Sequence, residues 1–181
     1  MAPLKTEAIV LKKHNFRETS VILSLYTEET GKIKGVLKGV RTENSKVPPL
    51  TFTPGACISA SIYIKRLSEL NLISSPSLLQ YYELSCKENL TVWRLILNIV
   101  DIFTPEKEPD KAIFYLLKDT GKILTDCQNP RIIFIAFKLK LIKILGYGIE
   151  LSRCVVCRKK STFYLFSGKL GGLICDNCKS R

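Results

Sequence analysis

The chain is poor in the residues that most often mark an active site. It has a single histidine, His14, in a basic stretch with no motif around it, so its default role is exposed or structural. No Gly-x-x-x-x-Gly-Lys-Ser/Thr loop is present to cradle nucleotide phosphates, and Gly-x-Ser-x-Gly and His-Glu-x-x-His are missing too. The 16 acidic residues are scattered, with no carboxylate cluster of the kind that two-metal nuclease chemistry needs. Enzymatic activity is therefore not expected. Long hydrophobic runs are absent as well. The longest, Ile132 to Leu145, is too short to span a bilayer and carries Lys138, Lys140 and Lys143. Met1 to Lys13 is charged and lacks the uninterrupted apolar stretch of a signal peptide. These features predict a soluble, cytoplasmic protein with no membrane partner. No internal repeat or low-complexity tract is visible.

What is present is a positive charge of +12, with a pI near 9.4, a combination that attracts polyanions. Residues 1–80 hold 11 Lys/Arg against 6 Asp/Glu, residues 81–153 hold 11 against 9, and residues 154–181 hold 6 against 1. The charge is concentrated at the two ends, and nucleic acid is the leading partner class. Ribosome-associated proteins and binders of anionic membranes share such a balance. At 181 residues the chain is one large domain or two small ones, able to bury about two-thirds of its unfolded surface.

Four of the 7 cysteines form two pairs, Cys154-x-x-Cys157 and Cys175-x-x-Cys178, separated by 17 residues. Thiolate sulfur is a soft ligand, and two intervening residues let one tight turn offer both sulfurs to one ion. Two such turns complete a tetrahedral shell, so the pattern predicts one structural Zn2+ held by Cys154, Cys157, Cys175 and Cys178. The competing readings are two disulfides or a redox pair; a redox Cys-x-x-Cys would open a helix and needs no second copy. A shell filled by protein leaves no position for substrate, so the site is scaffold, contributing on the order of 10 kcal/mol to folding. Cys57, Cys86 and Cys127 lack ligand spacing and read as buried small hydrophobes in a reducing compartment.

From Thr6 to Ser74 the pattern is of strands, at Thr6–Leu11, Ser20–Thr27, Gly31–Val40, Ala56–Lys65 and Glu69–Ser74. Five short strands in so few residues suggest a closed barrel, because closure removes exposed edges. An OB-type barrel is the first choice; an SH3-like barrel or an open antiparallel sheet is the alternative. In Gly31 to Arg41, Lys32, Lys34 and Lys38 fall on one face of an extended strand, with Ile33 and Leu37 opposite. Gly35 and Gly39 leave room for close backbone approach, and Arg41 to Lys46 reads as a mobile basic loop. Phosphate attraction with base stacking is how OB barrels hold single strands. Tyr63, Tyr26 and Phe16 are the aromatics placed to stack. Lys12, Lys13, Arg17, Lys65 and Arg66 widen the basic patch. The alternative is a solvated strand face.

Past Pro76 the reading is helical. Ser77 to Phe103 is an apolar-periodic run, Asp110 caps a second helix to Leu124, and Asn129-Pro130 opens a third that Gly146 stops. The third is apolar enough to be central to the bundle. Between the cysteine pairs, Phe163 to Phe166 reads as a strand and Gly168 to Gly172 as a turn, giving a zinc ribbon ringed by Arg158, Lys159, Lys160, Lys169, Lys179 and Arg181. The fold class expected is α+β: an OB domain over 1–76, then a helical domain over 77–181 with its four-cysteine zinc module at 150–181.

This order of parts resembles the RecO family of bacterial recombination mediators. The matching stretches are Thr6 to Leu11, Arg17-Glu18-Thr19-Ser20, Leu25-Tyr26-Thr27, and Lys38 to Arg41 with Ser45. Phe137 through Leu145-Gly146-Tyr147 then leads into Cys154, and Phe166-Ser167 precedes Gly171 to Cys178. The resemblance implies binding of single- and double-stranded DNA, annealing of complementary strands, a place in the cytoplasm at the nucleoid, and cooperation with RecR and single-stranded DNA-binding protein in loading RecA. Chains of the family continue for several helices beyond the second cysteine pair, whereas this sequence ends three residues after Cys178; in the relatives that segment completes the helical domain. A zinc-stabilised RNA-binding or ribosome-associated module is the alternative function, and a zinc-dependent nuclease or ligase-like accessory is a third.

Overall fold

A computed structural model of the chain describes residues 3–64, 70–84, 86–162 and 164–179. Its elements run β1 (Leu4–Phe16), β2 (Ser20–Thr27), β3 (Gly31–Leu37), β4 (Cys57–Tyr63), β5 (Leu70–Gln80), α1 (Lys87–Phe103), α2 (Lys111–Thr125), α3 (Pro130–Ile144), β6 (Tyr164–Ser167) and β7 (Gly172–Cys175). By compactness the chain divides into two units, 1–134 and 135–181.

The first five strands close on themselves in the order β1-β2-β3-β5-β4. All neighbours are antiparallel except β3 and β5, which run parallel from Lys34↔Leu70 to Leu37↔Ile73. This is the OB-type barrel of the α+β class expected. β1 is long because it serves two neighbours: Leu4 to Ile9 pair with β4, and Ala8 to Phe16 pair with β2. A register shift between Val10 and Lys12 bends it from one partner to the other, as a bulge does. Alternation places Ala8, Val10, Val21, Leu23, Leu25, Ile33, Leu37, Ile58, Ile62 and Ile73 inside. Gly35 also faces inward, where an added Cβ would lie 2.7 Å from the Ile73 side chain, so its small size serves packing and not ligand approach.

Ser77 to Gln80 are strand and not helix. β5 continues past Pro76 because Ser77, Leu78 and Gln80 pair with Ser59, Ile58 and Cys57 of β4, and the apolar period beyond Pro76 reflects pairing plus the later helix. α1 starts only at Lys87.

The barrel wall is also buried on part of its outside. Ile9, Leu11 and Tyr26 lie outside the inner cluster yet are shielded from solvent, and α1 packs against β1. The Trp93 ring of α1 lies edge-on to Tyr82, centroids 5.6 Å apart. Its indole also abuts Gly55, where a Cβ would sit 2.2 Å from Nε1 and where φ is +93°; both constraints require glycine. α2 is capped as expected, the Asp110 carboxylate accepting from the N–H groups of Ala112 and Ile113. It is tied to the barrel by Lys118, whose ammonium donates to Glu7 at 2.8 Å, and by the Tyr115 hydroxyl, which donates to Glu28 at 2.7 Å. Asn89 of α1 donates to the carbonyls of Leu124 and Cys127, satisfying acceptors at the end of α2.

α3 begins at Pro130 and ends before Gly146, whose φ of +86° is the left-handed stop expected. It is not an all-round buried helix: Phe137 and Leu141 are buried, but Ile132, Ile135 and Leu139 are exposed. Apolar content alone misjudges its burial. Among the remaining cysteines Cys57 is buried as expected, whereas Cys86 is exposed and Cys127 half-buried. No helix among the described residues is long and apolar enough to cross a membrane.

Replacing Trp93 by Ala is expected to destabilise the barrel-containing unit by about 3–5 kcal/mol, read from the denaturant midpoint. Burial, and after it the charge of Asp110, pushes the Tyr26 phenol from 10.0 up to about 12. A raised folded value means stability that is complete below 10 and lost as pH rises toward 12. Tyr26→Phe should therefore flatten the alkaline fall of the unfolding free energy; an unchanged profile would show that Tyr26 does not contribute to it.

Candidate nucleic-acid face and four-cysteine centre

Strand register places the basic residues. Outward-facing neighbours form rows across the sheet: Lys12, Ser24, Lys34 and Leu70 in one, and His14, Ile22, Val36, Leu72 and Tyr63 in the next. Beyond these, Phe16 pairs with Ser20, and Lys38 follows β3 at the same edge. Lys12, His14, Lys38 and Tyr63 are exposed, while Ile22, Val36 and Leu72 are half-buried. The result is a shallow apolar band with a ring at each end and lysines on both flanks. Phe16, Arg17, Val36 and Lys38 line a groove of about 640 Å³ at its edge, and the Arg17 guanidinium sits 5.2 Å from the Phe16 ring centroid.

Two expectations for this face are overturned. Lys32 is not part of an exposed stripe. It is buried, and its ammonium donates to the Asp101 carbonyl at 2.5 Å, because the chain after α1 lies over that end of β3. A backbone carbonyl in the last turn of a helix is a favourable partner for a cation. Tyr26 is likewise buried, its hydroxyl donating to the Asp110 carbonyl, so it offers no surface for stacking. Lys34 is exposed but ion-paired with Glu106 at 2.7 Å. Arg41 is exposed and donates to the Arg17 carbonyl at 3.0 Å, and Lys46 is exposed in the following loop. Lys65 and Arg66 lie outside the described residues.

Sequence reasoning misses His14 and the Ile22–Val36–Leu72 band. Sequence pattern could not have found them: Lys12 to Asn15 are all polar, and it is the register shift between Val10 and Lys12 that turns Lys12, His14 and Phe16 onto the outer face.

The cysteine ribbon is built locally. β6 and β7 pair antiparallel from Tyr164↔Cys175 to Ser167↔Gly172. The first cysteine turn is closed by Arg158 N–H donating to the Cys154 carbonyl and Cys154 N–H donating to that of Lys159, with Arg158 at φ +57°. Val155 N–H donates to the Leu173 carbonyl, stitching this turn to β7. Phe163 lies outside the described residues; Tyr164 to Ser167 form the strand expected around it.

The four sulfurs lie within 4.8 Å of one another, with Cys154, Cys175 and Cys178 buried and Cys157 exposed. Cys157 and Cys175 Sγ are 3.7 Å apart, far beyond a disulfide bond. Metal–sulfur bonds of about 2.3 Å in a tetrahedron give sulfurs roughly 3.8 Å apart, so the donor set fits one four-coordinate ion. Burial is the largest influence on the Cys154 thiol and raises it, but the N–H groups of Cys157, Cys175 and Val156 together draw it down to about 6. Burial, then the neighbouring Cys175, Cys157 and Cys154 groups, pushes Cys178 up to about 12. Four crowded sulfurs cannot all be thiolates without a cation among them.

Residues 1–82 match the family described as Recombination protein O N terminal, and residues 88–181 that described as Recombination protein O C terminal. The chain is 31% identical to the DNA repair protein RecO of Caldicellulosiruptor bescii over 186 residues, covering 99% of this chain and 73% of the relative. It is 31% identical over 188 residues to DNA repair protein RecO of a Thermoanaerobacter species, covering 100% and 73%. The Clostridium kluyveri DNA repair protein RecO is also 31% identical, over 98% of this chain and 70% of its own length. An OB-type barrel, helices and a four-cysteine ribbon, matched from end to end in this way, define a DNA repair protein. The chain belongs to the RecO family.

Cys154→Ser and Cys178→Ser are each expected to abolish stoichiometric metal binding and to unfold the ribbon, leaving the barrel intact. Elemental analysis with circular dichroism checks this; full metal content in either variant would show that its sulfur is not a ligand.

Proposed function

We propose that this chain is a non-enzymatic recombination mediator. It binds single- and double-stranded DNA, anneals complementary strands, and with RecR helps load RecA on strands coated with single-stranded DNA-binding protein. In this reading residues 1–76 are the nucleic-acid-binding domain and residues 77–181 the helical domain that carries the metal module. The observation that carries it is the outward face of β1, β2, β3, β5 and the end of β4, where exposed lysines flank an apolar band ending in His14 and Tyr63. Bases stack on such a band regardless of sequence, while Lys12, Lys34, Lys38, Arg41, Lys46, Lys65 and Arg66 meet phosphates. Annealing needs two strands held and released, with no bond made or broken, so no catalytic group is required. Zn2+ is the ion for the cysteine site, since four thiolates in tetrahedral array suit it best, and its role there is structural.

The first measurement is the affinity for a labelled single strand as salt is raised. Each phosphate contact contributes a log-log slope of about −0.7 on a single strand. Lys38→Ala should weaken binding uniformly across sequences and make the slope shallower by about that amount, whereas Lys32→Met should act on folding stability first. Strands coated with single-stranded DNA-binding protein should anneal faster with the protein present; no acceleration would refute the mediator role even if DNA binding survives. Tighter binding of structured RNA than of single-stranded DNA would redirect the reading to RNA.

A further inference from the structure

Between β1 and α1 lies a cleft of about 310 Å³ that none of the roles above uses. That volume is at the lower end of the range of about 300–1,000 Å³ typical of small-ligand pockets. Its walls are apolar, from Leu11, Pro54 and Leu97; its rim is cationic, from Lys12 and Arg94; and α1 contributes Asn98 and Asp101. Arg94, Asn98 and Asp101 are four and three residues apart, which puts them on one face of the helix. Lys12 belongs both to this rim and to the outward row Lys12–Ser24–Lys34, and the Asp101 carboxylate accepts from Ser24 of that row at 2.6 Å. Ser24 is buried against Asp101, so a strand on the neighbouring open row of His14, Ile22 and Val36 passes Lys12 at the mouth of the cleft.

We propose that this cleft is a base pocket that receives one unstacked guanine from the single strand on the barrel face. The inference rests on the DNA-binding reading above. Apolar walls on either side of the ring provide the stacking surface, and Lys12 and Arg94 at the rim meet the adjoining phosphates. Guanine alone presents two adjacent donors, N1–H and the 2-amino group, to a carboxylate, with its O6 accepting from the Asn98 amide or the Arg94 guanidinium. Adenine would turn the lone pair of N1 toward Asp101, and thymine has a single donor between two carbonyls. A site built to hydrogen-bond one base edge discriminates against bases that leave its groups unpaired.

The experiment compares binding of the full chain to oligo-dT, to the same strand with one central dG, and to one with a central dA, by fluorescence anisotropy. The strand with dG should bind about tenfold tighter than the other two, the size of one good bidentate contact. Asn98→Trp, at an exposed position, should fill the cleft and erase the preference while leaving oligo-dT affinity within about twofold. Asn98→Ala should reduce the preference without blocking the cleft. Equal binding of all three strands by the unaltered chain, or a dG preference that survives Asn98→Trp, overturns the pocket and leaves the DNA-binding reading standing. Failure to bind any of the strands overturns both.

Discussion

The outer wall of the barrel is organised by how the end of α1 meets β2 and β3. Asp101 is the junction: its carboxylate accepts from Ser24 of β2, and its carbonyl accepts from the buried ammonium of Lys32 of β3. The chain that follows adds to it. Lys107 N–H donates to the Lys32 carbonyl at 2.9 Å, and Glu106 bridges to Lys32 beside the point where β5 begins to pair. A stretch of β3 that would otherwise present unpaired backbone is thereby covered. Gly31 belongs to the same seam, since a Cβ there would lie 2.2 Å from the Glu108 carbonyl. A buried cation with its acceptor removed would be left uncompensated, which is why this contact constrains the fold more than a surface ion pair does.

That junction divides the outer wall of the barrel into two territories. Toward α1 and α2 the wall itself is covered, and charges at its margin are matched locally: Glu7 with Lys118, and Glu28 and Glu29 with Lys111, while the Glu106–Lys34 pair marks the boundary with the open side. Away from the helices it is open, with Lys12, Lys38, Arg41 and Lys46 exposed around a band of aliphatic and aromatic side chains. An excess of +12 spread evenly would attract polyanions without orienting them. On the open side Lys12, Lys38, Arg41 and Lys46 stand beside the surface where bases have something to stack on, with Glu18 at the edge of its groove.

The cysteine ribbon follows a different logic. Its buried cluster consists of Cys154, Cys175 and Cys178, with Tyr164 and Ile174 packed against them, too little apolar surface to fold a segment of this size alone. Coordination replaces a core. Hydrogen bonds between the first cysteine turn and β7 set the sulfurs in place; against its burial, backbone N–H groups draw the Cys154 thiol down, and the raised Cys178 thiol expresses the burial and crowding that a cation would relieve.

Features set by nearest neighbours along the chain are legible in the amino-acid sequence. The Cys-x-x-Cys turns with their separation, the Asp110 cap, the Pro130 start, the Gly146 stop and the bounds of β2 each depend on a few adjacent residues, and each sits where expected. Five strands with little room between them also imply closure. What alternation cannot say is which outward face meets solvent and which meets another element, because a lysine has the same period in both places. Period alone therefore makes binding residues of Lys32 and Tyr26, although the end of α1 and the start of α2 lie over them. It also ends β5 too early, since that strand runs past Pro76 only because β4 offers it a partner. The choice between a solvated and a buried outer face is made by contacts with residues some seventy to eighty positions away, and only the tertiary structure decides those.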